Sequence, residues 1–299
     1  MTHHDKCLNA VPKRPIRVVG VVVKRDRAEA LELGTTLTAW LRAWRKKVLA
    51  EPAAAEVIGA EPVSRDEMVH RADLIVVLGG DGTLLGIARK VGRRETPILG
   101  INLGGLGFLT EASTSEAKQA LERVLAGDYE TDRRITLEAD ICRGSGRSAE
   151  VVQRFLALND VVFNKGPLGR MLQLEVTAEG ERFCEYRADG LIISTPTGST
   201  AYALSAGGPI VYPSLGVLVL APICPHTLSN RPVVLPDTFE IEVRVKSSDH
   251  DSTLIIDGQE PAQLSADDYV RIRRGRYAVV LIRSAHPYFE IWRDKLRWG

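Results

Sequence analysis

The stretch from Asp73 to Thr83 (DLIVVLGGDGT) constrains the fold of this chain more than any other. Five consecutive apolar residues, Leu74 to Leu78, predict a buried strand. A glycine-rich turn follows, and Leu84 to Val91 then has helical spacing, with Thr83 or Asp81 as the expected cap. A strand, a glycine turn and a helix N-terminus in succession form an anion site, because backbone N–H groups and the helix dipole converge there.

The glycine turn is expected to receive a phosphate group. Gly79, Gly80 and Gly82 let a phosphate approach the backbone without a clash against a Cβ, and Thr83 completes this phosphate loop. Asp81 does not suit a simple anion site, because a carboxylate repels phosphate. It indicates chemistry in which the carboxylate accepts a proton from a hydroxyl that attacks the phosphate. The alternative interpretation is that Asp81 only caps a helix after a tight turn.

Strands alternate with helices in the first part of the chain, which predicts a Rossmann-like α/β domain with a parallel sheet and right-handed crossovers. In such sheets ligands bind beyond the carboxyl ends of the strands, so the glycine-rich stretches 79–83 and 102–108 should line one crevice. We expect Trp40 and Trp44 to pack in the core and 53–69 to be a loop with a short strand or turn. The other expected elements are strands at 16–23 and 97–101, a helix within 26–49 that includes Val48, and a helix at 115–126 capped by Ser113 or Ser115.

The pattern changes near Asp132 to short alternating runs, which predict a β-rich, β-sandwich-like domain. We assign residues 1–133 to the α/β domain and 134–277 to the β-rich domain, with the tail 278–299 packing back on the first. A hairpin turn is expected at 144–146. The expected strands are 135–142, 155–163, 172–178, 183–186, 191–194, 239–245, 253–256 and 269–272, and the tail should hold a strand and an aromatic-rich helix.

Composition excludes some classes of function. The 299 residues carry 39 Lys and Arg against 38 Asp and Glu, a net charge of +1, so no bulk field favours nucleic acid or a membrane surface. The polar residues 1–15 do not resemble a secretory signal, and the longest apolar run, near 216–223, is too short to span a bilayer. The four cysteines form no CxxC pair and are typical of reduced thiols, so we expect a cytoplasmic protein.

The stretch from Arg187 to Tyr202 (RADGLIISTPTGSTAY) has the strongest signature of ligand binding. A strand ends in a turn of Ser, Thr and Gly residues, and a helix begins after it. Hydroxyls, N–H groups, an aromatic ring and a carboxylate suit a ligand with ribose, amide and adenine groups. For any single hydroxyl the alternative is a cap or a local turn.

The ordered motifs of this chain resemble those of bacterial NAD kinases. The motifs are GGDGT at 79–83, NLGGLGF at 102–108, LND at 158–160, DGLIISTPTGSTAYALSAGGPI at 189–210, PICPHTLSNRPVV at 222–234 and DGQ at 257–259. The match covers about residues 16–290, whereas GGDGT alone also occurs in similar form in lipid kinases and phosphofructokinases. The resemblance implies ATP-dependent phosphorylation of the adenosine-ribose 2′-hydroxyl of NAD to give NADP. It also implies the NAD kinase/diacylglycerol kinase-like fold and a homo-oligomer, dimer or tetramer.

The resemblance also implies roles for matching residues. Asp81 would be the general base, with Gly82 beside it at the ligand. Asn159 and Asp160 would hold adenine and ribose groups, Asp160 standing where Glu is commoner. Other NAD-binding positions implied by the match are Phe108, Thr197, Thr200, Ala201, Tyr202 and Ser205, with Asp189 on the nicotinamide side and Arg170, Arg187 and Gln259 lining the site.

Three further expectations concern the choice of phosphate donor, the role of one histidine and the metal ion. Arg187 precedes the Asp-Gly pair as in family members that prefer ATP over polyphosphate, although a surface Arg paired with an acid is the alternative. We interpret His226 as structural or phosphate-contacting rather than as a base. No residue cluster has metal-ligand spacing, so Mg²⁺ should arrive with ATP and keep several waters.

Two other classes of function remain open from the sequence. A lipid kinase would use the GGDGT turn similarly, but the loop 197–202 and Asn159-Asp160 fit a dinucleotide better. A non-catalytic NAD(P) sensor would keep the binding loop and lose the base, and the presence of Asp81 argues against it.

Overall fold

The structure is a computed structural model that forms two compact units. It describes residues 14–298 except 93, 106, 111, 145–148, 167–170, 228, 247–251, 266–267 and 284–287. The first unit holds the described residues of 14–133 and 279–298, and the second holds those of 134–278. Arg170 and most of the hairpin turn expected at 144–146 lie outside the described residues.

The first unit is an α/β structure built on one sheet. Its strands lie in the order β3-β2-β1-β4-β5-β20-β7, with β6 paired to β5, and every pair with a described register is parallel. With numbers running along the chain, the strands are β1 (Val18–Val23), β2 (Lys47–Ala50), β3 (Glu61–Pro62), β4 (Leu74–Leu78), β5 (Ile98–Asn102), β6 (Ala112–Ser113), β7 (Thr131–Arg134) and β20 (Val279–Ile282). The helices are α1 (Ala28–Ala43), α2 (Pro52–Ile58), α3 (Arg65–Arg71), α4 (Asp81–Ala88), α5 (Ala117–Leu125) and α7 (Tyr288–Leu296).

The parallel pairing of β4 with β5 places the two glycine-rich stretches at the same edge of the sheet. Both strands are buried, and the N–H of Gly79, just after β4, donates to the carbonyl of Ile101 in β5 at 3.0 Å. The carboxyl ends of the two strands therefore meet, as expected from the sequence.

Some predictions for this unit are wrong. The short strand expected within residues 53–69 is present as β3, but most of that stretch belongs to α2 and α3 rather than to a loop. The missed signals were Pro52 at the start of α2 and a capping box, in which the Ser64 hydroxyl accepts from the Glu67 N–H at 3.1 Å. Val48 belongs to β2 rather than to the preceding helix, and Trp44, expected in the core, is 53% exposed.

The cap expected for α5 is also wrong. The helix begins at Ala117, and neither Ser113 nor Ser115 caps it. Instead the carboxylate of Glu116 accepts hydrogen bonds from the N–H and the hydroxyl of Ser113, so the serine is the donor.

The second unit is a β-sandwich of two six-stranded sheets, ordered β15-β14-β13-β10-β17-β18 and β12-β11-β16-β19-β8-β9. Every described pair in it is antiparallel, and one core joins Phe163 and Ile193 of the first sheet to Val243 and Ile272 of the second. Its strands are β8 (Leu137–Arg143), β9 (Glu150–Ala157), β10 (Asp160–Lys165), β11 (Leu172–Ala178), β12 (Glu181–Ala188), β13 (Gly190–Ser194), β14 (Val217–Ile223), β15 (Val233–Pro236), β16 (Ile241–Val245), β17 (Ser252–Ile256), β18 (Glu260–Gln263) and β19 (Asp268–Arg274). A 3₁₀ turn (Thr197–Thr200) and the short helix α6 (Tyr202–Ser205) follow β13.

The predicted fold class, a parallel α/β unit and a β-sandwich-like unit, is confirmed. One strand prediction is wrong, because the run 155–163 is split between β9 and β10, with Leu158 and Asn159 between them. Within the described residues, none of the helices has the length and apolar content needed to cross a bilayer.

Asp73 fixes the start of the central strand pair, and its removal should destabilise the fold. Its carboxylate accepts from the N–H groups of Arg17 and Val18, both at 2.9 Å, and from Arg94 at 2.5 Å. We expect Asp73→Ala to lower the free energy of unfolding in urea by about 1–3 kcal/mol, because two N–H groups lose their partner. The control is Asp66→Ala, whose side chain is 70% exposed. Equal losses in the two variants would contradict this role.

Candidate functional site

Asp81 is the first residue of α4, and its carboxylate is turned away from the helix backbone. Gly80 is the N-cap, and no side chain caps the helix, so the prediction that Thr83 or Asp81 caps it is wrong. The Asp81 carboxylate instead accepts from the N–H of Phe108 at 3.0 Å and from the N–H of Leu109 at 3.1 Å. The alternative that Asp81 serves only as a helix cap is therefore excluded.

The phosphate loop exposes an open surface above its second glycine. A Cβ built on Gly80 would meet no atom within 4 Å, whereas one on Gly79 would lie 2.6 Å from Thr83 Oγ1. Gly79 is buried, Asp81 is half-buried and Gly82 is exposed. The loop is therefore packed at its base and accessible at its tip, beside Asp81.

The second glycine-rich stretch approaches Asp81 closely. A Cβ on Gly107 would lie 2.3 Å from Asp81 Oδ1 and 2.4 Å from Thr110 Oγ1, so only glycine fits there. Phe108, predicted to lie near the adenine-ribose, is half-buried beside the same carboxylate. At the outer side of the stretch, the exposed Lys295 of α7 places Nζ 3.8 Å from the Cβ position of Gly105.

In the second unit, Asp257 shapes the corner between β9 and β10. Its carboxylate accepts from the N–H groups of Leu158 at 3.1 Å, Asn159 at 2.7 Å and Asp160 at 3.1 Å. Asp257 is buried, so three backbone donors are satisfied inside the unit by one anion. The sequence contained this residue in its DGQ motif, but its role as the holder of Asn159 and Asp160 was not predicted.

Asn159 and Asp160 present acceptors at this corner. Within the described part of the chain, Asn159 Oδ1 is buried without a hydrogen-bond partner. Asp160 is 3% exposed, and its burial, with a smaller contribution from the negative charge of Asp257, raises its pKa to about 7. Buried acceptors of this kind indicate a ligand site, because an unsatisfied polar group destabilises the protein.

The turn after β13 lies directly against the same corner. The hydroxyl of Thr195 donates to the carbonyl of Leu158 at 2.6 Å and accepts from the N–H of Gly198 at 3.1 Å. A Cβ on Gly198 would lie 2.2 Å from the carbonyl oxygen of Asn159, which explains the glycine. Thr197 accepts from the buried Arg134 at 3.3 Å, a support not predicted from the sequence.

The structure brings part of the predicted NAD-binding set together. The corner packs on the turn that contains Thr197, through Ser194, Thr195 and Gly198. Thr200 and Ala201 follow in the same turn, and Gln259 lies two residues after Asp257, which binds the corner. Tyr202 and Ser205 follow on α6, and both are exposed.

Asp189 and Arg187 lie elsewhere. Both residues precede β13, whereas the Asn159–Asp160 corner lies at the opposite end of this strand. The two ends are six residues apart, which is roughly 20 Å along an extended strand. Asp189 pairs with Lys165 Nζ at 2.7 Å. Arg187 is exposed and forms no ion pair with the residues that the structure describes. The side chain of His226 is exposed too, and the backbone N–H of His226 donates to the Arg187 carbonyl at 2.9 Å.

The described residues hold no group of three or more His, Cys, Asp or Glu side chains arranged to bind a metal ion.

A carboxylate beside an accessible glycine turn, held by a second glycine loop at the same sheet edge, defines a phosphotransferase that acts on a hydroxyl group. Models of the ATP-NAD kinase N-terminal domain and of the ATP-NAD kinase C-terminal domain match residues 19–129 and 158–284. The chain belongs to the NAD kinase family.

Two relatives of similar sequence and two solved structures of similar fold are also NAD or NADH kinases. The NAD kinase of Geotalea daltonii is 45% identical over 286 residues, covering 95% of this chain and 99% of that protein. That of Geobacter metallireducens is 47% identical over 264 residues, covering 88% and 92%. Yeast NADH kinase complexed with NADH aligns with a TM-score of 0.88 at 27% identity, covering 96% of this chain and 89% of that one. An NAD kinase from Archaeoglobus fulgidus in complex with ATP gives 0.75 at 26% identity, covering 94% and 100%.

The approach of Gly107 to Asp81 predicts a sharp effect of one methyl group. We expect Gly107→Ala to displace the Asp81 carboxylate and to lower the rate of NADP formation roughly 10-fold or more, because hydrogen bonds to a charged group are lost. The matched control is Gly104→Ala in the same loop, where a Cβ would meet only Asn102 Oδ1, at 4.0 Å. Comparable rates in the two variants would contradict the packing argument.

The environment of Asp160 predicts a pH-dependent stability effect. Its pKa in the folded protein, about 7, lies above the ordinary value of 3.8 that it has in the unfolded chain. The folded state therefore binds the proton more tightly, and the ionised carboxylate lowers stability as pH rises from about 4 to about 7. We expect Asp160→Asn to raise the melting temperature at pH 8 and to change it little at or below about pH 4, where the carboxyl is protonated in both states. Exposed Glu181→Gln is the control. A melting-temperature difference that does not vary with pH would contradict the assignment.

Proposed function

We propose that this chain transfers the γ-phosphoryl group of ATP to the 2′-hydroxyl of the adenosine ribose of NAD, giving NADP and ADP. The observation that carries the proposal is the Asp81 carboxylate, held by two backbone N–H groups beside the open tip of the phosphate loop. The two related structures support it, since one is an NADH kinase complexed with NADH and the other an NAD kinase in complex with ATP.

Asp81 is the general base of this proposal. A carboxylate can accept about four hydrogen bonds. Oδ1 faces both Leu109 N–H and the Thr110 hydroxyl, whereas among the described residues Oδ2 accepts a hydrogen bond only from Phe108 N–H. Oδ2 therefore retains room for the ribose hydroxyl. As the hydroxyl oxygen bonds to the γ-phosphorus, the bond from phosphorus to the ADP oxygen breaks and the hydroxyl proton passes to Asp81.

The phosphate loop is proposed to hold the donor phosphates. Gly79, Gly80, Gly82 and Thr83 form its backbone at the N-terminal end of α4, where the helix dipole favours negative charge. Mg²⁺ is proposed to accompany ATP and to neutralise part of the phosphate charge when bound.

NAD is proposed to bind the second unit through the corner and the turn. The buried, unpartnered Asn159 Oδ1 suits a donor such as the adenine amino group or a ribose hydroxyl, and Asp160 suits a second. Asn159 Oδ1 would thereby gain the partner that it lacks among the described residues. The remaining members of the proposed site are Phe108, Arg170, Arg187, Asp189, Thr197, Thr200, Ala201, Tyr202, Ser205 and Gln259.

We also propose a homo-oligomer. Arg187 and Asp189 lie at the end of β13 opposite the Asn159–Asp160 corner, and a second copy of the chain would offer a way for that end to reach bound NAD. We further propose a cytoplasmic location, with which the free thiols of Cys142, Cys184 and Cys224 agree.

The base assignment predicts the outcome of a single substitution. Asp81→Asn should lower kcat roughly 10²- to 10⁴-fold, because an amide cannot take the proton. It should also cost some stability, because its NH₂ group faces a backbone donor. The measurement is incubation with ATP, Mg²⁺ and NAD, followed by an NADP-specific dehydrogenase.

Two controls accompany this assay. Asp66→Asn tests an exposed carboxylate of the same unit, and an NAD-binding titration tests whether the substrate still binds. Retention of more than about half the parent kcat by Asp81→Asn would remove the base assignment, since base loss costs far more than this. Phosphorylation of a lipid in place of NAD, or NAD binding by the parent without turnover, would overturn the proposed reaction itself.

A further inference from the structure

We propose that Thr110, braced by Asn102, is a positioning residue that orients the Asp81 carboxylate for proton transfer. The inference rests on the proposed role of Asp81 as the base. It extends that role by naming what decides which carboxylate oxygen faces the substrate.

The hydrogen-bonding capacity of Thr110 determines where its proton points. Thr110 is 1% exposed, and its Oγ1 accepts from the N–H of Gly107 at 3.1 Å and from Asn102 Nδ2 at 2.9 Å. A hydroxyl has two acceptor positions and one donor. Since both acceptor positions are used, the hydroxyl proton is left to donate, and Asp81 Oδ1 lies 3.4 Å away to receive it.

Asn102 makes this arrangement rigid. Its Nδ2 also donates to the carbonyl of Gly105 at 2.6 Å, and its Oδ1 accepts from the N–H of Gly104 at 3.1 Å. The amide of Asn102 thus joins the end of β5 to the glycine loop and to Thr110. This network leaves Thr110 one orientation, in which it donates to Asp81.

The consequence is that the two oxygens of Asp81 become inequivalent. Oδ1 is occupied by Leu109 N–H and by the Thr110 hydroxyl, whereas, in the part of the chain that the structure describes, Oδ2 accepts only from Phe108 N–H. The Thr110 contact is long, as catalytic hydrogen bonds often are before substrate binds. Thr110 therefore holds Oδ1 inside the loop and keeps Oδ2 for the ribose hydroxyl.

The test uses Thr110→Val, which keeps the branched shape and removes the hydroxyl. We expect kcat to fall roughly 10- to 100-fold, the range for a hydrogen bond to a charged group, with little change in the KM for NAD. Thr110→Ser, which restores a hydroxyl, should recover most of the kcat. The matched control is Thr96→Val, a buried threonine of the same unit whose hydroxyl donates to the carbonyls of Val69 and Ala72, and it should keep the parent kcat.

A double-mutant cycle separates positioning from a merely structural role. If Thr110 acts through Asp81, Thr110→Val should lower kcat in the parent but not in the Asp81→Asn background. Equal losses in both backgrounds, or a parent-like kcat for Thr110→Val, would overturn the inference. Should Thr110→Val fail to fold, Asn102→Ala takes its place in the same cycle with the same expected pattern. An active Asp81→Asn single variant would instead overturn the base assignment and the inference together, which distinguishes the two failures.

Discussion

The hydrogen bonds from the backbone N–H groups of Phe108 and Leu109 to the Asp81 carboxylate hold the phosphate loop and the second glycine loop together. They form because β4 and β5 run parallel and end at one edge, which leaves the two loops side by side. They also require a glycine at 107, since a side chain there would occupy the position of the carboxylate. Without the anion, two backbone donors near the site would lose their partner, so the geometry of the whole edge depends on it.

The second unit uses the same physical device. The Asp257 carboxylate binds the backbone N–H groups of residues 158–160 and turns the chain from β9 into β10. In each unit the backbone N–H groups of a loop donate to a buried or half-buried carboxylate rather than to a neighbouring strand. These hydrogen bonds fix the conformation of the loop. This arrangement destabilises the ionised form of Asp160, because the residue is buried and lies beside the negative charge of Asp257, and its pKa is raised. Such a cost is typical of functional sites, where local stability is given up for binding.

Prediction from sequence succeeded where the signal was local. The apolar runs Leu74–Leu78 and Leu172–Ala178 are strands with the predicted bounds, because five to seven consecutive or alternating apolar residues leave few other folds. It failed at 53–69, where two helices of seven residues each are too short to show a repeated helical pattern, and at 155–163, where Asp257 binds the backbone between two strands. The expected caps failed because Asp81 and Ser113 each found a partner other than the helix.

The sequence by itself determined the alternation of strands and helices, the glycine-rich turns and the residue types able to bind phosphate and a dinucleotide. These depend on neighbours within a few positions, so they can be read from the chain. Only the tertiary structure decided what the key carboxylates do. Asp81 meets Phe108 across 27 residues and Asp257 meets Leu158 across 99, and no local pattern records such contacts. The roles of Thr110, Asn102 and Asp257 follow from these long-range contacts, because a hydrogen bond depends on where the folded backbone brings its donor and acceptor.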